Sequence, residues 1–383
     1  MTATRLHALR ALGQSPWLDN LNRGLIASGE LARLVGQGIV GVTDNPTIFQ
    51  QALATGGDTY DADIGRGARA GRSAAEIYDQ LIADDVRRAC DVLRPVHEAT
   101  GGGDGQVSLE VLPGLAHDTA ATVAAAQRYW EAVDRPNLLI KIPATAEGIP
   151  AIEASIAAGI SVNVTLIFAI ARYREVMEAY CRGLERRLAT GTEVSRLRSV
   201  ASFFVSRVDT EVDRRLDQLA EREPGRRDDA RRLRGTAAIA NARIAYQAFL
   251  EVMRGPRFAD LAAAGANVQR PLWASTSTKD PAFRDVRYVE ALIGPDTVDT
   301  MPPETVAAFC DHGEARVTVT DDPEGARQVV RDLRGLGIEL DDVTRVLERE
   351  GVSKFSRSMD DLLEALEAKR VALGGSIQPG RTG

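Results

Sequence analysis

Lys141 stands inside an apolar run, Leu138-Leu139-Ile140-Lys141-Ile142-Pro143, whose neighbours read as a buried strand. Burying an ammonium group is costly unless it is paired or gives up its proton. The plain readings are a partly solvated lysine or a structural ion pair, and the sharper one is an amine nucleophile that works uncharged. Which one applies depends on the polar company the lysine keeps.

Side chains alternate faces along a strand, so parity sorts that company. In ISVNVTLIF (160–168), Ser161, Asn163 and Thr165 share one face, opposite Val162, Val164 and Leu166. Ser108 and Glu110 oppose Val107, Leu109 and Val111 in VSLEV, and Gly41, Thr43 and Asn45 oppose Val40 and Val42. Ser202 lies opposite Ala201 and Phe203. Each polar residue also has a plain role. Asn45 before Pro46 suits a turn, Asp19 before NLNRG suits a helix cap, and Thr165 has ordinary strand preference. Their agreement in parity, together with their position towards strand ends, points to one shared polar interior.

The elements that must position them follow from short β-branched runs alternating with helical patterns. Strands are expected at 16–19, 38–46, 106–113, 137–144, 160–168, 199–209, 269–275 and 315–320. Stretches such as AHDTAATVAAAQRYWEAV and GTAAIANARIAYQAFLEVMRG carry helical spacing between them. Such alternation implies parallel pairing through crossovers. Eight units fit an α/β fold, a (β/α)8 barrel with an N-terminal helical extension and extra helices, whose polar residues gather at the C-terminal ends of the strands. A single domain over 1–370 and a disordered tail over 371–383 are expected. Trp17, Trp130 and Trp273 read as packing residues.

Bulk properties exclude several classes. The chain has 383 residues, 44% of them hydrophobic, which supports a large core. A net charge of -7 argues against a nucleic-acid partner. Cys90, Cys181 and Cys310 are far apart and odd in number, so no disulfide framework is expected. The N-terminus has no continuous apolar segment of the secretory kind, and no run is long enough to span a membrane. A soluble cytoplasmic protein is expected. His7, His97, His117 and His312 show no metal-ligand spacing. Without a G-x-S-x-G elbow, a Walker A lysine or a dinucleotide fingerprint, cofactor-free chemistry is expected.

The motifs GVTDNPTIF, VSLEV, IKIPAT, SVNVTLIF, SFFVSRVD and LWASTSTKDP occur in that order. With them the chain resembles the transaldolases, in the longer form found in actinobacteria and related bacteria. The likeness runs from SPWLDNLNRG to GVSKFSRSMDDLLEALEAKR. It implies a class I aldolase-type barrel that needs no cofactor or metal and acts in the pentose phosphate pathway. Such enzymes carry a dihydroxyacetone unit from a ketose phosphate to an aldose phosphate, sedoheptulose 7-phosphate to glyceraldehyde 3-phosphate being one pair. By resemblance, Lys141 forms the Schiff base and Asp19 is the acid/base of carbon–carbon cleavage. Glu110 works through a bound water that Thr165 holds. Asn45, Asn163 and Ser202 bind substrate, and Arg207 and Ser275 meet the phosphate. Shorter relatives place an arginine where this chain reads ASTSTK, and Lys279 is expected to supply that charge. A monomer or homodimer is expected.

Two other readings fit the same features less well. A class I aldolase releasing free dihydroxyacetone would share the lysine but turn over ketose without an acceptor. A silent sugar-phosphate-binding barrel would lack one member of the lysine–carboxylate set, and all are present here.

Overall fold

The computed structural model describes residues 4–374. Eight strands run β1 (Gln14–Asp19), β2 (Gly41–Thr43), β3 (Gln106–Glu110), β4 (Leu138–Pro143), β5 (Val162–Ile167), β6 (Ser199–Phe204), β7 (Gln269–Ala274) and β8 (Thr297–Met301). They close in sequence order, all neighbours parallel, with β8 paired back to β1. This is the expected (β/α)8 barrel. Helices lie between the strands, and their apolar faces bury Val107, Leu109, Ile140, Ile142, Val162 and Val164 against the outside of the wall.

Local signals set the helix starts. Ser73 and Glu76 form a reciprocal capping box at the head of the helix Ala74–Ala99. Asp118 caps Thr119–Val133 through Ala121 N. Asn45 caps Pro46–Thr55, with Pro46 at the first helical position, so GIVGVTDNP yields only three residues of strand before the chain turns. Likewise the run 199–209 is strand only to Phe204. Ser206 opens the helix Ser206–Arg222 and puts Arg207 on its first turn.

One strand was misplaced. ARVTVT (315–320) is not β8; the chain has no strand there, and TVDTM at 297–301 closes the barrel instead. In the 315–320 segment, Thr318 N and Val319 N both donate to the Ile293 carbonyl, at 2.9 and 3.0 Å. The Thr318 hydroxyl donates to the Glu290 carbonyl at 2.6 Å. Its backbone donors are thus spent on the loop before β8. TVDTM escapes a hydrophobic reading because Thr297, Asp299 and Thr300 are polar yet buried.

The last helix, Leu340–Gly374, is an addition to the eightfold plan. It runs through 371–374, and the rest of the expected tail lies outside the described residues. Thr47 bonds Ser358 at 2.9 Å, Arg215 pairs with Asp342 at 2.7 Å, and Lys369 pairs with Asp61 at 2.6 Å. These contacts lay the helix across the C-terminal mouth of the barrel, between the helices Pro46–Thr55 and Ser206–Arg222. Among the described residues, no helix is long and apolar enough to cross a membrane, and no cluster of His, Cys, Asp and Glu suits a metal ion.

Candidate active site

Register brings the charged residues together. Glu110 at the end of β3 is the lateral partner of Lys141 in β4, and Lys141 is in turn the partner of Asn163 in β5. Inward parity then points Lys141 and Glu110 into the barrel, where each is nearly sealed from solvent. The Lys141 Nζ donates to Glu110 Oε2 at 2.8 Å and to the Asp44 backbone carbonyl at 2.9 Å. In this state the lysine is ion-paired with Glu110. The Phe355 ring covers the amine, its centroid 5.7 Å from Nζ, within range of a cation–π contact.

Burial raises the carboxyls around the amine above their usual range, and the charge of Lys141 opposes that rise. Burial pushes the Glu110 carboxyl up, with the Lys141 charge and hydrogen bond opposing it. Burial also raises Asp19, against Lys141, the Thr43 hydrogen bond and Arg207. Thr43 Oγ1 donates to Asp19 Oδ1 at 2.7 Å and lies 2.6 Å from Thr300 Oγ1. Burial drives the Asp44 carboxyl well up as well, but Asp44 faces the opposite way from Thr43.

Above Lys141 opens a cavity of about 570 Å³. Asp19, Asn45, Thr165, Ser202, Arg207 and Lys141 contribute to its walls, as do Ser275 and Lys279. Two expected residues lie behind it. Glu110 reaches only the lysine. Asn163, fully buried, donates Nδ2 to Ser108 at 2.9 Å and accepts from the Ser202 hydroxyl at 2.8 Å, so it fixes Ser202 from beneath. Asn45 keeps its capping duty, its Oδ1 accepting from Ile48 N at 3.1 Å.

Thr165 owes its position to an irregularity. The β5–β6 register shifts between Val164 and Ile167, and Leu166 takes a positive φ of 60°. Bulges of this kind re-aim side chains at strand ends. The Thr165 hydroxyl is buried with no protein partner. Ser275 is strained too, at φ 58°, and its hydroxyl meets Ser206 at 2.9 Å beside the start of the Arg207 helix.

A sequence model of the family described as transaldolase/fructose-6-phosphate aldolase matches residues 16–366. The chain belongs to that family. It is 51% identical over 367 residues to a transaldolase of Saccharopolyspora erythraea, covering 95% of this chain and 97% of the relative. It is 52% identical over 367 residues to transaldolase 1 of Streptomyces coelicolor, covering 95% and 94%. A transaldolase of Mycolicibacterium smegmatis is 50% identical over 366 residues, with 95% and 96% covered. Family and relatives together make this chain a transferase of the transaldolase type. Within this family frame, Thr300, Glu304, Lys354 and Phe355 are among the cavity-lining residues that sequence reasoning missed. Thr300 sits on the strand that was misplaced. Glu304 follows it, and its charge acts on Asp19, raising that carboxyl. Lys354 and Phe355 come from the last helix, and nothing local in GVSKFSRS says that it crosses the mouth.

Proposed function

We propose that the chain transfers a dihydroxyacetone unit between sugar phosphates through a Schiff base on Lys141. The observation that carries the reading is the contact between the Lys141 amine and the Glu110 carboxylate, made at the floor of a polar cavity. Glu110 takes the amine's proton. The free amine attacks the ketose carbonyl, and the carbinolamine loses its hydroxyl as water, with the proton returned from Glu110. A carboxyl raised by burial suits this exchange, because the rise makes it a stronger base for the amine's proton while it can still return that proton. Lys141 and Glu110 touch directly, so this proton exchange needs no intermediary, and the expected water held by Thr165 serves carbinolamine formation and hydrolysis.

Asp19 then takes the proton from the hydroxyl on the carbon beyond the breaking bond. The aldose leaves as an aldehyde, and the iminium draws in the electron pair left on the three-carbon unit. An acceptor aldehyde reverses the sequence, and Asp19 returns the proton to the new alkoxide. Two carboxyls in different surroundings divide the work in this way. The unpartnered Thr165 hydroxyl suits a water or substrate hydroxyl, and Ser202 and the free amide end of Asn45 suit the retained unit. Arg207, Ser275 and Lys279 suit the phosphate, with the start of the Ser206–Arg222 helix adding its positive end.

Borohydride reduction in the presence of fructose 6-phosphate, followed by mass mapping, tests the reading. The adduct is expected on Lys141, and an adduct elsewhere discards the site. A coupled assay with and without erythrose 4-phosphate separates transfer from simple cleavage: transfer requires the acceptor. Replacing Lys279 by Met is expected to raise KM for fructose 6-phosphate.

A further inference from the structure

We propose that Lys354, on the last helix, is a phosphate-binding residue of this site, so that the helix laid over the barrel mouth takes part in recognising substrate. The inference deepens the proposed function and rests on it for the identity of the substrate.

Three cations converge on one wall of the cavity: Arg207, Lys279 and Lys354. Among the described residues, none of the three has a carboxylate within ion-pair distance, although most arginines elsewhere on the protein are paired. Arg207 lies against two rings, with its guanidinium carbon 5.0 Å from the centroid of Phe204 and 5.9 Å from that of Phe355. Lys279 spends a hydrogen bond on Ser277 at 2.6 Å, whereas Lys354 has no hydrogen-bond partner among the described residues. Desolvation and then the charges of Arg207, Lys279 and Arg357 push the Lys354 ammonium below the usual lysine range. Like charges held near one another with no ion-paired carboxylate disfavour one another, and a dianion between them reverses the sign of the interaction.

The position of Lys354 is built, not incidental. Gly351, Lys354 and Phe355 stand at i, i+3 and i+4, so one helical face presents all three. Gly351 packs on Leu166 and beside Arg207; a Cβ there would stand 3.0 Å from Leu166 Cδ2 and 3.8 Å from Arg207 Nη1. Phe355 lies over Lys141 and Arg207. The same face thus touches the reacting lysine and the fixed arginine, and it delivers a further cation where the far end of a ketose phosphate would reach. Lys354 matches the chemistry of a point-charge phosphate ligand, which needs no fork geometry.

Titration calorimetry with inorganic phosphate tests this without turnover. The wild-type protein is compared with Lys354→Met, Lys354→Arg and Lys279→Met. Lys354→Met is expected to weaken phosphate binding by about 10-fold or more, in line with loss of a charged hydrogen bond. KM for fructose 6-phosphate should rise in proportion, with a smaller change in kcat. Lys354→Arg is expected to keep most of the affinity, and Lys279→Met to lose less than Lys354→Met. Wild-type affinity in Lys354→Met, or an equal loss in Lys354→Arg, overturns the assignment. A wild-type protein that binds phosphate but transfers no three-carbon unit would instead sink the transaldolase reading and leave this one standing.

Discussion

Glu110 and Lys141 are lateral partners on adjacent strands, their charged atoms 2.8 Å apart and both side chains about 6% exposed. Among the described residues, neither forms a second ion pair. A proton shared by the two therefore stays within the barrel, and either group alone would be a buried, uncompensated charge. Glu110→Gln keeps the shape and removes the proton acceptor. It is expected to lower kcat by roughly 10²- to 10⁴-fold, the usual range for a general acid/base. Borohydride trapping should slow equally yet still label Lys141. Lys141→Met should abolish the adduct altogether. Undiminished trapping in Glu110→Gln would remove Glu110 from the mechanism.

Thr43 holds the other acid. Its hydroxyl donates to Asp19 at 2.7 Å, and that bond lowers a carboxyl which burial raises. Thr43→Val deletes the bond and keeps the volume. The Asp19 carboxyl should then move further up. If ionised Asp19 is the base in cleavage, the acidic limb of the kcat/KM profile shifts to higher pH, so activity is lost earlier on acidification. The check is a pH profile of both proteins. An unmoved limb would mean that another group sets it.

The barrel was legible because its signals are local: short β-branched runs alternating with helical spacing, and Pro46 following Asn45 at a turn. The inward polar set was legible from parity, since a strand repeats every two residues whatever it packs against. Three things were not. TVDTM hides a strand because Asp299 is buried on the outer face of β8, a placement that only the surrounding helices reveal. The swing of Leu166 to positive φ breaks parity within β5 without a glycine to announce it. Lys354 joins Arg207 through a contact between the last helix and β6's connection, and long-range packing of that kind leaves no periodic trace. The Asn163 side chain, expected in the cavity, is instead consumed by Ser108 and Ser202 within the wall.

Asp299 provides a stability test away from the site. Burial pushes its carboxyl up to about 7, with only the Thr276 hydroxyl favouring the charged form. The unfolded chain releases that proton near 3.8, so between these values the native state binds the extra proton. Stability from this group accordingly falls as pH rises through that window, and the full penalty is present above about 7. Asp299→Asn removes the ionisation while keeping an oxygen for Thr276. It is expected to raise stability at pH 8 by up to about 4 kcal/mol and to leave it nearly unchanged near pH 4. Denaturant titrations at the two values measure this. An equal effect at both would show that packing, not charge, governs the position.

Gly351 decides how close the last helix comes to the site. Alanine is the better helix former by about 1 kcal/mol, so Gly351→Ala would stabilise a helix with room to spare. Here the new Cβ meets Leu166 Cδ2 at 3.0 Å, and Leu166 is buried at the β5 irregularity, which leaves its side chain little room to give way. Crowding of that kind costs about 1–3 kcal/mol where the neighbour does not yield. The two effects offset one another in the melting temperature, and the strain is relieved by the helix moving off the mouth. Lys354 and Phe355 then retreat from Arg207 and Lys141. Gly351→Ala is expected to raise KM for fructose 6-phosphate several-fold at a nearly unchanged melting temperature. A higher melting temperature with an unaltered KM would show that the helix has slack and does not set the geometry of the cavity.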